Sequence, residues 1–274
     1  MSSTAPGGAD TSTSPDPSSN RAERLRVRIR FSKLGKIRWT SHRDVARMWE
    51  RAFRREHLPL AYSSGFSPRP KVSFGLALPT GYESVAEYID VDLVGFPASG
   101  VAMLPARLSS ALPEGVDATA AEVMAPSAPS LQEEVTSCTW RWAVEAPEGQ
   151  ATPSPDELGA RVEACLGAGE LQVTRPRKGV VQTDNIRPGI VDIKLAGPDG
   201  AGDSAGVWLQ AELACQPRAI RPSEVTLALG PGLEERSVRR MHQWIWRDGA
   251  RCEPLSEADL PGAIGARHAL ERAS

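Results

Sequence analysis

His42 lies in the segment Thr40-Ser-His-Arg-Asp44. An imidazole beside a carboxylate has the makings of a general base, and a helix start there would offer backbone N–H groups to an anion. A plainer reading of the same five residues is that Ser41 and Asp44 cap the helix while His42 packs or bonds locally. His57, His242 and His268 occur elsewhere, and no nucleophile elbow, phosphate-binding loop, dinucleotide fingerprint or zinc-protease helix is present. The four cysteines, Cys138, Cys165, Cys215 and Cys252, lack both the close spacing of a zinc site and the triplet of an iron–sulfur cluster, so neither metal nor cofactor is expected. His42 is thus the catalytic candidate of a chain that reads as a binding protein before it reads as an enzyme.

Binding is the stronger signal because charge is segregated. Residues 21–71 hold 15 Lys and Arg against 4 Asp and Glu, although the whole chain has a net charge of -2. Such a split is the footprint of a polyanion-binding face on an otherwise acidic protein. Its candidate phosphate ligands are Arg26, Arg28, Arg30, Lys33, Lys36, Arg38, Arg69 and Lys71. The first three alternate along one strand face, and the next three follow on the loop to a helix. Proteins that read RNA on a sheet usually stack bases on outward aromatic rings, and this strand has none, so contact with the phosphate backbone or recognition by loops is expected. Alternatively a second layer covers the sheet and acidic residues answer the arginines.

The loop Tyr62-Ser-Ser-Gly-Phe-Ser-Pro-Arg-Pro-Lys71 is stiffer than a turn requires. Gly65 permits backbone angles that other residues resist, and Pro68 and Pro70 fix φ and extend the residues before them. Arg69 is therefore held on a rigid arm, and preorganisation lowers the entropy lost on binding. Phe66 and Phe74 either serve that loop or plug the core. A second basic run, Thr174-Arg-Pro-Arg-Lys178, precedes Asp184-Asn-Ile-Arg-Pro188 and either extends the same groove or is solvated.

The elements that position these residues follow from periodicity. Leu25, Val27, Ile29 and Phe31 alternate with Arg26, Arg28 and Arg30, predicting a half-buried strand. Val45, Met48, Trp49, Ala52 and Phe53 form one face of a helix over 43–57, with Arg43, Arg47, Arg51, Arg54 and Arg55 opposite, most simply as a solvated face. Strands over 71–78 and 85–93, a helix over 101–112 and a strand over 116–123 complete the order βαββαβ, the ferredoxin-like unit. In that unit both helices cover one sheet face. Past a linker at 126–129 the same order recurs with one extra strand: strand 139–144, helix 155–166, strands near 171–181 and 190–195, a further strand at 207–215, helix 222–229 and strand 241–246. The expected fold is α+β, with tandem ferredoxin-like (βαββαβ) halves built on antiparallel sheets. Its parts are a disordered tail over 1–20, a basic domain over 21–125, a second domain over 130–250 and an extension over 251–274. The tail is too polar to offset the entropy of ordering. No apolar run approaches the roughly 18 residues of a membrane span, so a cytoplasmic protein without membrane contact is expected.

Four motifs in order, Phe31-Ser-Lys33-x-Gly35, Thr40-Ser-His-Arg-Asp44, Tyr62-Ser-x-Gly-Phe-x-Pro-x-Pro-Lys71 and Glu83-Ser-x-x-Glu-Tyr88, resemble the radical-SAM-associated family of unknown function. The later Asp184-x-Ile-Arg-Pro188 is similar to that family's second half. With no radical-SAM core present, the chain resembles the free-standing actinobacterial form, which occurs near ribonuclease E/G and ribosomal protein genes. The resemblance implies an RNA-linked setting and, as protein partners, a radical-SAM enzyme or ribonuclease E/G. It supplies no established activity. Family members often have His where this chain has Arg69, so anion binding rather than an imidazole is implied there. The expected function is an RNA-binding or RNA-processing accessory, in which Ser41, His42, Asp44, Gly65, Phe66, Pro68 and Pro70 shape the site. The alternatives are a protein adaptor and an RNA-cleaving or modifying enzyme using His42.

Overall fold

The computed structural model describes residues 23–177, 179–198 and 206–255. The expected tail over 1–20, Lys178 and positions 256–274 of the extension lie outside the described residues.

Alternation in the arginine-rich segment produces β1 (Arg24–Lys33), whose Val27, Ile29 and Phe31 are buried with Val45, Trp49, Ala52 and Phe53 of α1 (His42–Arg55). Phe31 meets Trp49 edge-on, with ring centroids 5.0 Å apart. The chain continues through β2 (Val72–Phe74), β3 (Glu83–Val94), α2 (Leu104–Ala111) and β4 (Val116–Met124). Then come α3 (Leu131–Glu134), β5 (Val135–Glu145), α4 (Pro155–Gly167) and a separate hairpin of β6 (Gln172–Arg177) and β7 (Val180–Asn185). β8 (Ile190–Ala196), β9 (Val207–Ala214), α5 (Pro222–Leu229), β10 (Glu234–Arg247) and β11 (Ala250–Cys252) follow.

The main sheet runs β4-β1-β3-β10-β5-β9-β8, with β2 also on β3 and β11 on β10. Every pairing is antiparallel except β3 with β10, which is parallel where Glu83 faces Arg239 and Ser84 faces Arg240. The fold is therefore mixed α+β with one large, mostly antiparallel sheet. It does not split clearly into two tandem halves, because the β3–β10 junction carries the sheet across the expected boundary.

That junction is polar and well tied. Arg239 reaches Glu83 at 2.7 Å, Arg240 reaches Glu87 at 2.9 Å, and the Gln243 amide donates to the Ala86 carbonyl at 2.6 Å. Buried charges persist only when paired in this way. Apolar side chains gather in two clusters, one between β1, β3, α1 and α2, the other around β5, β8, β9, α4 and α5 and reaching Ala86 and Tyr88 of β3. Among the described residues no helix is long and apolar enough to cross a membrane, and no group of three His, Cys, Asp or Glu could hold a metal ion.

Candidate nucleic-acid interface

The stiff loop predicted from its glycine and prolines is a hairpin pinned to β3. Ala61 N donates to Asp92 O at 2.7 Å, Lys71 N to Ala61 O at 2.7 Å, and Asp92 N to Lys71 O at 3.1 Å. Tyr62 and Pro70 bridge at the base, Ser63 N bonds to Arg69 O at 2.9 Å, and the Ser63 hydroxyl accepts from Arg69 N at 3.0 Å. Gly65 holds φ at 133°, a region that L side chains rarely enter. The two phenylalanines part company here. Phe74 packs inward, its ring 5.0 Å from that of His42, whereas Phe66 stands fully exposed at the tip. Tyr62 is 53% exposed, and Arg69 is exposed beside them.

The arginines of β1 go elsewhere. Arg28 is wholly buried, with Nε and Nη2 donating to Asp90 at 2.8 and 3.0 Å and Nη1 to Glu134 at 2.9 Å. Arg26 pairs with Asp92 at 3.3 Å and donates to the Ala128 carbonyl at 3.1 Å, while Arg30 pairs with Glu253 at 3.5 Å. Over Arg28 and Arg30 the face away from α1 is thus covered by the chain's own residues around 134 and 253, which corrects the expectation that it offers these two arginines to phosphate, while Arg26 stays partly exposed. Lys33 is corrected likewise. Its ammonium is buried and donates to the Arg38 and Thr40 carbonyls at 3.1 Å each, fixing the loop before α1. Burial lowers its pKa from the usual lysine value. Arg38 pairs with Glu83 at 3.3 Å, and Lys36 on the same loop is exposed.

A family match spans these elements. The family described as "Uncharacterized protein conserved in bacteria (DUF2344)" matches residues 26–222. The chain belongs to that family. The matched stretch contains α1 and the whole 62–70 hairpin and ends at the first residue of α5, so β10 lies past it. No curated protein matches this DUF2344 chain. Among solved structures it is similar to a chain in "Crystal Structure of a Cbf5-Nop10-Gar1 Complex", at 13% identity and a TM-score of 0.43, covering 79% of the DUF2344 chain and 48% of the other. The DUF2344 chain thus spans about half the length of that solved chain.

The α1 start in this DUF2344 protein is a local cap. Ser41 accepts from Asp44 N at 3.2 Å and donates to the Asp44 carboxylate at 2.6 Å, which Arg47 also approaches at 3.4 Å. The Ser41 bond, with Arg47 behind it, lowers the Asp44 pKa. His42 borders a cavity of about 20 Å³ together with Lys33, Phe74 and Glu87. That space admits a single water and not a nucleotide.

The helix itself supplies cations that its sequence pattern alone would leave to plain solvation. Arg43, Arg47, Arg51, Arg54 and Arg55 all lie exposed along α1. Arg51 and Arg55 border an open cleft of about 250 Å³ whose far side is Ala111, Leu112 and Pro113. Trp39, 65% exposed just before the helix, carries no signal of exposure in the sequence, because an isolated Trp reads as core. Within the second basic run Arg175 is tied internally, while the side chains of Arg177 and Lys178 lie outside the described residues. Arg175 pairs with Asp184 and Glu224 at 3.1 Å each, and Arg187 donates to the Ile190 and Leu166 carbonyls at 3.0 and 2.8 Å.

Proposed function

We propose that this protein binds unpaired RNA through the 62–70 hairpin and the arginine stripe of α1, as an accessory to RNA processing rather than as the cutting enzyme. The observation that carries this is Phe66, an exposed aromatic ring on a hairpin whose base is hydrogen-bonded into the sheet. An exposed large apolar side chain on a stiffened loop has no packing role. Stacking on a base gives it one, contributing about 1–3 kcal/mol per base regardless of sequence. Tyr62 adds a second ring, and Arg69 and Lys71 stand where phosphates would follow. Lys36, Arg43, Arg51, Arg54 and Arg55 extend the positive surface. Arg26 and Arg38 are lesser members because each already has an acidic partner, and Arg28, Arg30 and Lys33 act in the fold. Single strands are favoured over duplex because stacking needs bases that can be splayed out.

Filter binding with a pyrimidine-rich single-stranded RNA and its duplex, at stepped salt, tests this. Wild type should prefer the single strand, and Phe66→Ala should weaken it with the fold intact. Equal affinity of wild type, Phe66→Ala and the Arg69→Glu, Lys71→Glu double variant would overturn the reading.

The strand orders β4-β1-β3-β2 and β10-β5-β9-β8 support reading the sheet as two fused ferredoxin-like units, the β6–β7 hairpin being inserted in the second. The sequence resemblance supports an RNA-linked setting near a radical-SAM enzyme or ribonuclease E/G. If the basic surface instead meets such a protein, a stoichiometric partner should survive nuclease treatment during co-purification. RNA cleavage by His42 predicts an activity that His42→Ala abolishes while RNA binding persists.

A further inference from the structure

Cys138 lies on β5 and Cys215 one residue beyond β9. In the antiparallel β5–β9 pairing Cys138 faces Leu213, so Cys215, two positions on, projects to the same side of the sheet. Cys215 is held there by its N–H, which bonds to the Thr136 carbonyl at 2.7 Å. The two sulfurs are 3.4 Å apart. Cys138 is buried and Cys215 half-buried, so Cys215 is the more accessible residue of the pair.

Their surroundings favour reaction at Cys215. Arg240, whose guanidinium lies over the Trp140 ring at 4.7 Å and pairs with Glu87 at 2.9 Å, acts electrostatically on both thiols. The hydrogen bond from the Cys138 thiol, with the Arg240 cation behind it, lowers the Cys215 pKa against the opposing effect of burial. Burial pushes Cys138 well up, as expected of a resolving rather than an attacking thiol. Cys165, on α4, and Cys252, on β11, sit in other elements and serve as internal references.

We propose that Cys138 and Cys215 form an oxidisable dithiol that hydrogen peroxide closes to a disulfide joining β5 to the chain after β9. The Cys215 thiolate attacks one peroxide oxygen, forming an S–O bond as the O–O bond breaks, and the leaving hydroxide takes up a proton to become water. Cys138 then attacks the sulfenic sulfur, the S–S bond forms as the S–O bond breaks, and the departing hydroxide takes the Cys138 proton as a second water. Two thiols are oxidised, and one peroxide is reduced to two waters. The sulfurs must close from 3.4 Å to about 2.05 Å, a side-chain movement between strands that already pair.

The test uses the full chain. Purified protein is treated with increasing hydrogen peroxide, quenched, denatured, alkylated with N-ethylmaleimide and mapped by peptide mass spectrometry. The expected result is joint loss of two alkylatable thiols and a reductant-sensitive Cys138–Cys215 peptide, with Cys165 and Cys252 still alkylated. In Cys138→Ser, dimedone should trap a sulfenic acid at Cys215. The inference fails if Cys138 and Cys215 stay alkylatable after another cysteine has been oxidised, or if the disulfide found links a different pair. The wild-type map decides this even if the variant does not fold, and neither outcome bears on RNA binding.

Discussion

Arg28 of β1 lies against Asp90 of β3 through two hydrogen bonds of 2.8 and 3.0 Å, with the guanidinium entirely withdrawn from solvent. The pair is directly opposite in the strand register, and Glu134 closes the third side at 2.9 Å. A charge so placed is satisfied but not stabilising for its own sake, since desolvation offsets most of the Coulomb gain. Its effect is to fix how the 128–134 segment lies over the sheet, and the arginine is unavailable to any external anion.

Replacing Arg28 by Ala leaves the Asp90 and Glu134 carboxylates half-paired in a nearly dry site. Breaking a buried pair from one side costs about 3–5 kcal/mol. Urea unfolding of Arg28→Ala should show a loss of that size, while RNA affinity measured below the unfolding transition stays near wild type. A large loss of RNA affinity in a variant that remains fully folded would return Arg28 to the binding surface.

Gly115 holds φ at 86°, and a Cβ added there would stand 2.4 Å from the Leu34 carbonyl oxygen, on a residue whose own N–H is tied to Gly115 O at 2.8 Å. Backbone cannot step aside as a side chain can. Gly115→Ala should therefore destabilise by about 1–3 kcal/mol from its backbone angle alone, and more with the clash. Gly65→Ala, also at positive φ but with open space around the site, should cost less. Thermal melts of the two variants compare them directly.

Much of this fold was legible in the chain because its signals are local. Leu25 to Phe31 alternates as a strand must, and the apolar stripe of Val45, Trp49, Ala52 and Phe53 is a helix stripe, buried as expected. What covers the far face of β1 was not legible. An arginine facing solvent and one facing a buried carboxylate look the same within a strand, and Glu134 lies 106 positions from Arg28. The continuous sheet was hidden for a like reason, since it depends on a two-residue parallel contact between β3 and β10, elements some 150 residues apart. In the hairpin the glycine and prolines announced stiffness, but only the folded chain separates Phe66, which faces out, from Phe74, which faces in.

Three acidic residues near helix starts, Asp44, Glu133 and Glu157, have pKa values below the usual carboxylate range, each bonded to the Ser of its own cap. A carboxylate whose pKa falls on folding contributes stability that is full above its unfolded value and is lost as pH drops through its folded value. The melting temperature should therefore fall on acidification below about pH 4.5, the ordinary glutamate value. Ser130→Ala removes the hydroxyl that donates to the Glu133 carboxylate at the start of α3 and should flatten part of that decline. Parallel pH profiles for wild type and variant would reject the capping explanation.

The arginines of α1 set binding against stability. Arg47, Arg51 and Arg55 follow at i,i+4, and Arg54 adds a fourth charge three positions after Arg51. Each like-charged neighbour costs the helix a few tenths of a kcal/mol. Changing Arg51 and Arg54 to Gln should therefore raise the melting temperature slightly. If the stripe contacts phosphates, the same change should weaken single-stranded RNA and reduce the slope of log affinity against log salt by about 0.7 for each phosphate no longer neutralised. Opposite shifts in the two measurements are the signature of cations kept for a ligand. A stabler protein with an unchanged salt slope would mean that the stripe only faces water and that RNA, if bound, is held by the hairpin alone.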